Sequence, residues 1–181
     1  MIPIFRTKLG FMGLAFGEGG LLALTFGHPS PRAAHSSIER TLRLAIPDSV
    51  TLDLDSFSHD LAERLQVRLC RFAEGEPVDF EDFPVAMIGL TAFQARTVEA
   101  CQAIPWGETV SYGDLANAIG HPGAARAVGS VMAKNRVPLI VPCHRVLGAG
   151  GNLGGYSAPQ GLAMKRRLLA AEMAFRPAMV L

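Results

Sequence analysis

The alternation of apolar and polar positions changes character near residue 90. Before it, two apolar runs, residues 11–16 and 21–26, flank a glycine-bearing segment, the pattern of a β-hairpin. The sequence HPSPR at 28–32 breaks that pattern, and residues 36–44 predict a short helix ending before Pro47. Residues 50–54 and 85–90 are apolar runs of strand length. The clearest helix of this half spans residues 58–72, with Leu61, Leu65, Val67, Leu69 and Phe72 set among charges. Ser58 suits its N-cap, and Gly75 and Pro77 mark its end. Residues 1–90 therefore read as a mixed α/β domain.

Residues 91–181 are punctuated by helix caps. Thr91 and Gln94 have capping-box spacing, and the helix they open runs to Ala103, before Pro105. Ser111 and Asp114 open a second helix that ends at Gly120, and a third spans about 124–134 before Asn135. Two short helices joined by GHPG are a helix-turn-helix pattern. The third helix, AARAVGSVMAKN, is built of small residues with Arg126 in its first turn. Such a face suits close approach to a smooth surface, and it suits close helix packing equally well. Residues 137–141 predict a buried extended segment, interrupted at Pro142. A glycine-rich loop from Gly148 follows, read as turns that need positive φ rather than as a nucleotide loop. Ser157 and Gln160 have capping spacing for a last helix to about Ala174. That helix is expected to turn Leu162, Leu169 and Met173 inward and Lys165, Arg166 and Arg167 outward. Glu172 falls close to the inward stripe and needs a partner there, with His144 and Arg145 the candidates.

Composition changes the picture in three places. Residues 1–90 carry eight basic and twelve acidic side chains, and residues 91–181 carry nine basic and four acidic. A basic half is a cue for a polyanionic partner. Cys70, Cys101 and Cys143 form no CxxC and no even framework, which points to a reducing compartment and to no metal site. The apolar stretch at 9–26 holds Glu18 and several glycines, a poor membrane span, so the chain is expected to be soluble and cytoplasmic. His28, His35 and His59 are isolated and read as structural or exposed.

The candidate chemistry lies in VPCHRV. Cys143, His144 and Arg145 follow a buried segment, and neighbouring cations favour the nucleophilic thiolate. Cysteine is equally at home as an inert core residue.

Taken together, these residues resemble the O6-alkylguanine-DNA alkyltransferases, the methylated-DNA–protein-cysteine methyltransferases. The matching run covers residues 93–172: IPWGETVSYGDLANAIG, AARAVG, Asn135, VPCHRV, GGYS and LLAAE. The first half resembles that family's RNase H-like α/β domain only in layout. The chain departs from the family at Thr97 and Val98, where a Val-Trp pair is usual, and at Cys101, usually leucine. The cysteines of the zinc site found in some members are absent from residues 1–60.

The resemblance implies an α/β domain at 1–90 and a mostly helical, winged-helix-like DNA-binding domain at 91–181. It implies Cys143 as alkyl acceptor, with His144 taking its proton through a water and Glu172 holding the imidazole. Asn135 is implied to pin the turn before Cys143. On the DNA side, Tyr112 is implied to crowd a phosphate. Arg126 is implied to fill the gap in the base stack, on a helix face of Ala125, Ala127, Gly129 and Ser130. Met132, Pro138, Tyr156 and Ser157 are implied to line the base pocket. The expected partner is double-stranded DNA bearing O6-alkylguanine, with O4-alkylthymine a further candidate, and the expected protein is a monomer without cofactor. Base flipping follows because a stacked base hides its O6 substituent from a buried thiol. A thioether product implies one turnover. Two other classes stand beside this one: a lesion-sensing alkyltransferase-like protein, which lacks the cysteine, and a Cys-His-Glu hydrolase, which turns over esters.

Overall fold

The computed structural model describes residues 2–17, 19–46 and 59–174. Three antiparallel strands open the chain: β1 (Ile4–Thr7), β2 (Gly10–Gly17) and β3 (Gly20–His28), in the order β1-β2-β3. The hairpin predicted from the two apolar runs is β2–β3, and β1 adds a strand that the polar-edged IFRT did not announce. Every residue of β3 is buried, because the sheet is covered on both faces. Helix α1 (Pro31–Ala45) packs Ile38 and Leu42 against Ala15, Leu22 and Ala23 on one side. On the other, Met12, Leu14, Leu24 and Phe26 join α2 (His59–Glu74) through Leu65, Leu69 and Phe72. Gly20 is obligatory at φ +119, since a Cβ there would lie 2.1 Å from the Pro84 carbonyl oxygen.

The second half carries α3 (Ala92–Gln102), β4 (Val110–Ser111), α4 (Tyr112–Ala118), α5 (Ala125–Ala133), β5 (Val146–Leu147) and α6 (Gly161–Ala174). Both expected capping boxes form, Thr91 with Gln94 and Ser111 with Asp114. β4 and β5 make a short parallel pair beneath α4. A single apolar cluster runs from Met12 and Phe26 through Leu69 and Val128 to Val141, Cys143, Met164 and Leu168. The acceptor candidate thus sits on the same core as the sheet.

Several expectations are corrected. Helix α1 starts at Pro31, because Ser30 caps it and proline fits the first turn. Residues 85–90 form no strand beyond a bridge between Leu21 and Val85, and carbonyls there bond to the Arg136 side chain instead. Residues 137–141 are buried except for the half-buried Pro138, and they are not extended: Pro138 bridges Val141, and Leu139 sits at φ 76. Val67 is 60% exposed, so the buried stripe of α2 runs Ala62, Leu65, Leu69, Phe72. The Ser157–Gln160 box does not form, since Gln160 has φ 69 and α6 begins at Gly161. In α6, Leu162 and Met173 are exposed, and the inward stripe is Met164, Lys165, Leu168 and Glu172. The strand expected at 50–54 and the Ser58 cap lie outside the described residues. His28 is buried against Thr25, and His35 and His59 pair with Glu39 and Glu63 on exposed faces.

Leu69→Ala should lower the unfolding free energy by about 2–5 kcal/mol. Val67→Ala should change it by no more than about 0.5 kcal/mol. Urea denaturation of both variants checks the assignment, and equal effects would contradict it.

Candidate active site

Cys143 opens a 3₁₀ turn, Cys143–Arg145, immediately after Pro142. The turn is closed by Cys143 N–H on the Val141 carbonyl and Arg145 N–H on the Pro142 carbonyl, both at 2.8 Å. Three successive side chains are thereby buried, with Cys143 at 5%, His144 at 0% and Arg145 at 6% exposure. Burial of a base and a guanidinium together demands a buried counter-charge. Glu172 of α6 supplies it. Its carboxylate accepts His144 Nε2–H at 2.8 Å and Arg145 Nε–H at 3.0 Å, with Arg145 Nη2–H at 3.0 Å. Gly107 N–H adds a further bond at 3.2 Å. Arg145 Nη1 donates to the Ile104 carbonyl at 2.6 Å. Burial alone would raise the Glu172 pKa, but the His144 and Arg145 bonds and charges outweigh it and hold it down to about 2.

An ionised Glu172 fixes the tautomer of His144. Nε2 must carry the proton that Glu172 accepts, so the lone pair lies on Nδ1. Nδ1 is buried and has no hydrogen-bond partner among the described residues. Burial pushes the ring below the ordinary imidazole range despite the pull of Glu172, so at neutral pH it is an uncharged base. The Cys143 thiol is pushed up by burial, against the opposing effects of an Asn135 hydrogen bond and the Lys165 charge. It rests protonated, and its ionisation needs a base.

Asn135 follows α5 and holds the turn before the thiol. Its Nδ2 donates to the Val141 carbonyl at 2.7 Å, and its Oδ1 accepts Val137 N–H at 3.0 Å. Lys165 was expected outside but is fully buried, because Nζ donates to the carbonyls of Val146 at 2.7 Å and Leu153 at 2.6 Å. Those two bonds close the base of the glycine-rich loop. The i, i+3, i+7 spacing of Lys165, Leu168 and Glu172 was the signal that all three share a face. Gly107 and the Ile104 carbonyl carried no side-chain signal at all.

A cavity of about 790 Å³ brings Cys143 together with Tyr112, Ala125, Arg126, Gly129, Ser130, Met132, Tyr156 and Ser157. Arg126 and Ser130 are exposed on α5, and Ala127 is exposed but outside the cavity wall. Pro138 lines a second cavity of about 580 Å³, which also reaches Cys143, Tyr156 and Ser157. The Tyr156 hydroxyl is buried without a partner among the described residues, while Ser157 is exposed. Gly154, at φ +63, lets the loop pass Tyr112, whose hydroxyl would lie 3.3 Å from any Cβ there. Among the described residues no cluster of ligating side chains suits a metal ion, and no helix is long and apolar enough to cross a membrane.

Glu172→Gln should cost about 3–5 kcal/mol, because Arg145 is left buried without its counter-charge. The folded pKa of Glu172 lies below its ordinary 4.5, so its stabilisation is complete above that pH and is lost as pH falls toward about 2. Urea midpoints measured across that window should fall steeply in the parent chain and less steeply in Glu172→Gln. Parallel slopes would contradict the ion pair.

Known proteins resemble this chain in sequence and fold. Residues 92–174 match the sequence model of the 6-O-methylguanine DNA methyltransferase, DNA binding domain. A methylated-DNA–protein-cysteine methyltransferase of Mycolicibacterium paratuberculosis is 47% identical over 111 residues, covering 61% of this chain and 65% of that protein. The chain therefore spans just under two thirds of that relative. One of Methanosarcina acetivorans is 36% identical over 169 residues, covering 93% of this chain and 96% of that protein. The crystal structure of Mycobacterium tuberculosis OGT in complex with DNA superposes with a TM-score of 0.69 at 35% identity, over 98% of this chain and 95% of that one. The mixed α/β fold is common to them, and the chain belongs to the methylated-DNA–protein-cysteine methyltransferase family.

Proposed function

We propose that this chain repairs DNA by moving an alkyl group from O6 of guanine onto Cys143, once per molecule. The observation that carries the proposal is the neutral His144, pinned through Nε2 by Glu172 with its Nδ1 lone pair unshared, beside a buried protonated thiol. Nδ1 accepts the thiol proton through one water, and Glu172 stabilises the imidazolium that results. The thiolate attacks the alkyl carbon in line with the C–O6 bond. The S–C bond forms, the C–O6 bond breaks, and its electron pair leaves with the guanine, which takes up the proton. The product is a thioether that neither His144 nor Glu172 can cleave. O4-alkylthymine presents the same carbon–oxygen bond and is a second substrate of this site.

The base must leave the stack to reach Cys143. The first cavity supports this, with Ala125, Arg126, Gly129 and Ser130 of α5 in its wall: these small residues, with the exposed Ala127 beside them, make minor-groove contact, and Arg126 fills the vacated stack. Tyr112 crowds the neighbouring phosphate. Met132, Pro138, Tyr156 and Ser157 take the extruded base, and Asn135 keeps the thiol turned toward it. The partner is double-stranded DNA, bound by a monomer in the cytoplasm without a cofactor. Residues 1–90 act as an RNase H-like domain and 91–181 as a winged-helix-like one. The presence of Cys143 favours transfer over lesion sensing alone.

Intact-mass measurement after incubation with an O6-methylguanine duplex should show one methyl group per chain and no further consumption of lesion. Repeated turnover would contradict the proposal. Cys143→Ser should abolish the mass gain and keep DNA affinity. Arg126→Ala should slow transfer from duplex about tenfold more than from free O6-alkylguanine base, because only the duplex needs flipping. Affinity for DNA should fall as salt rises.

A further inference from the structure

Residues 135–137 are fastened on two sides. Asn135 bonds toward the thiol, to the Val141 carbonyl and Val137 N–H. Arg136, the next residue, turns the other way. Its Nη2 donates to the carbonyls of Ala86 at 2.7 Å and Ile88 at 2.8 Å, and its own carbonyl accepts Leu24 N–H of β3 at 2.8 Å. The segment it grips is itself hydrogen-bonded to β3, by Leu21 N–H on the Pro84 carbonyl and Ala86 N–H on the Leu21 carbonyl. The Arg136 side chain is buried at 7% exposure. Burying a guanidinium costs free energy unless its bonds are well made, so this cation is committed to the joint.

The turn that follows needs such a joint. Leu139 sits at φ 76, a conformation costly for a side chain with a Cβ and kept only where its surroundings impose it. The two anchors of that turn are adjacent in the chain. A shift of Arg136 therefore moves Asn135, and with it the Val141 carbonyl and the thiol. We infer that Arg136 is a positioning residue, which fastens the acceptor turn to the N-terminal sheet so that Asn135 holds Cys143 in line for transfer. It acts through Asn135, whose bonds set the turn before the thiol.

The inference rests on Cys143 being the acceptor, and single-turnover kinetics separates the two. The amplitude of methyl transfer counts folded, competent molecules, while the rate constant reports positioning. Arg136→Met should keep an amplitude near one equivalent and lose about tenfold in rate constant, since small misplacements of a reacting group carry such costs. Arg136→Lys, which restores a donor to the carbonyls, should recover most of the rate. Combined with Cys143→Ser, Arg136→Met should bind DNA as tightly as Cys143→Ser alone. An unchanged rate constant, or a rate loss matched by lost DNA affinity, overturns the inference. A reduced amplitude at unchanged rate makes Arg136 merely structural and overturns it as well. Should Arg136→Met not fold, Arg136→Gln gives the same comparison with about a threefold loss required. If the parent chain takes no methyl group, the acceptor assignment itself has failed.

Discussion

One carboxylate organises this molecule. Glu172 lies 1% exposed between an imidazole and a guanidinium, and each of the three is tolerable in the interior only because of the others. The carboxylate selects the histidine tautomer, balances Arg145 and ties α6 to the turn that carries the thiol. Arg145 in turn reaches the Ile104 carbonyl past α3, and Gly107 N–H closes the ring on Glu172. The buried imidazole and the packing of the second half are thus parts of a single network. A network of this kind favours one arrangement strongly, because any member left unpaired is costly.

The surroundings divide the labour around Cys143. Lys165 closes the loop that carries Tyr156 and Ser157, Asn135 holds the preceding turn, and α4 and α5 shape the outer cavity. Burial pushes the thiol up and keeps it protonated. That combination fits the single transfer proposed above.

Much of this was legible in the residues. The capping boxes at Thr91 and Ser111, the β2–β3 hairpin and the Cys143-His144-Arg145 run were readable because each depends on local spacing. Glu172 was readable as a buried acid in need of partners, and His144 and Arg145 are those partners. What failed depended on tertiary hydrogen bonding. Lys165 was placed outside by its charge, although two backbone carbonyls hold it inside. Residues 137–141 looked extended because they are apolar and β-branched, yet Asn135 folds them into a turn. Residues 85–90 looked like a strand, yet Arg136 takes their carbonyls. In each case a hydrogen bond between a polar side chain and the backbone decided the outcome, and hydrophobic periodicity is blind to such partners.

The central claim is that a single sulfur keeps the transferred carbon. The direct measurement is to incubate the protein with a duplex carrying an isotopically labelled O6-methyl group, digest it, and locate the label by peptide mass. The account predicts label on the peptide containing Cys143 and on none containing Cys70 or Cys101 alone. Label on another peptide, or on none, would contradict it.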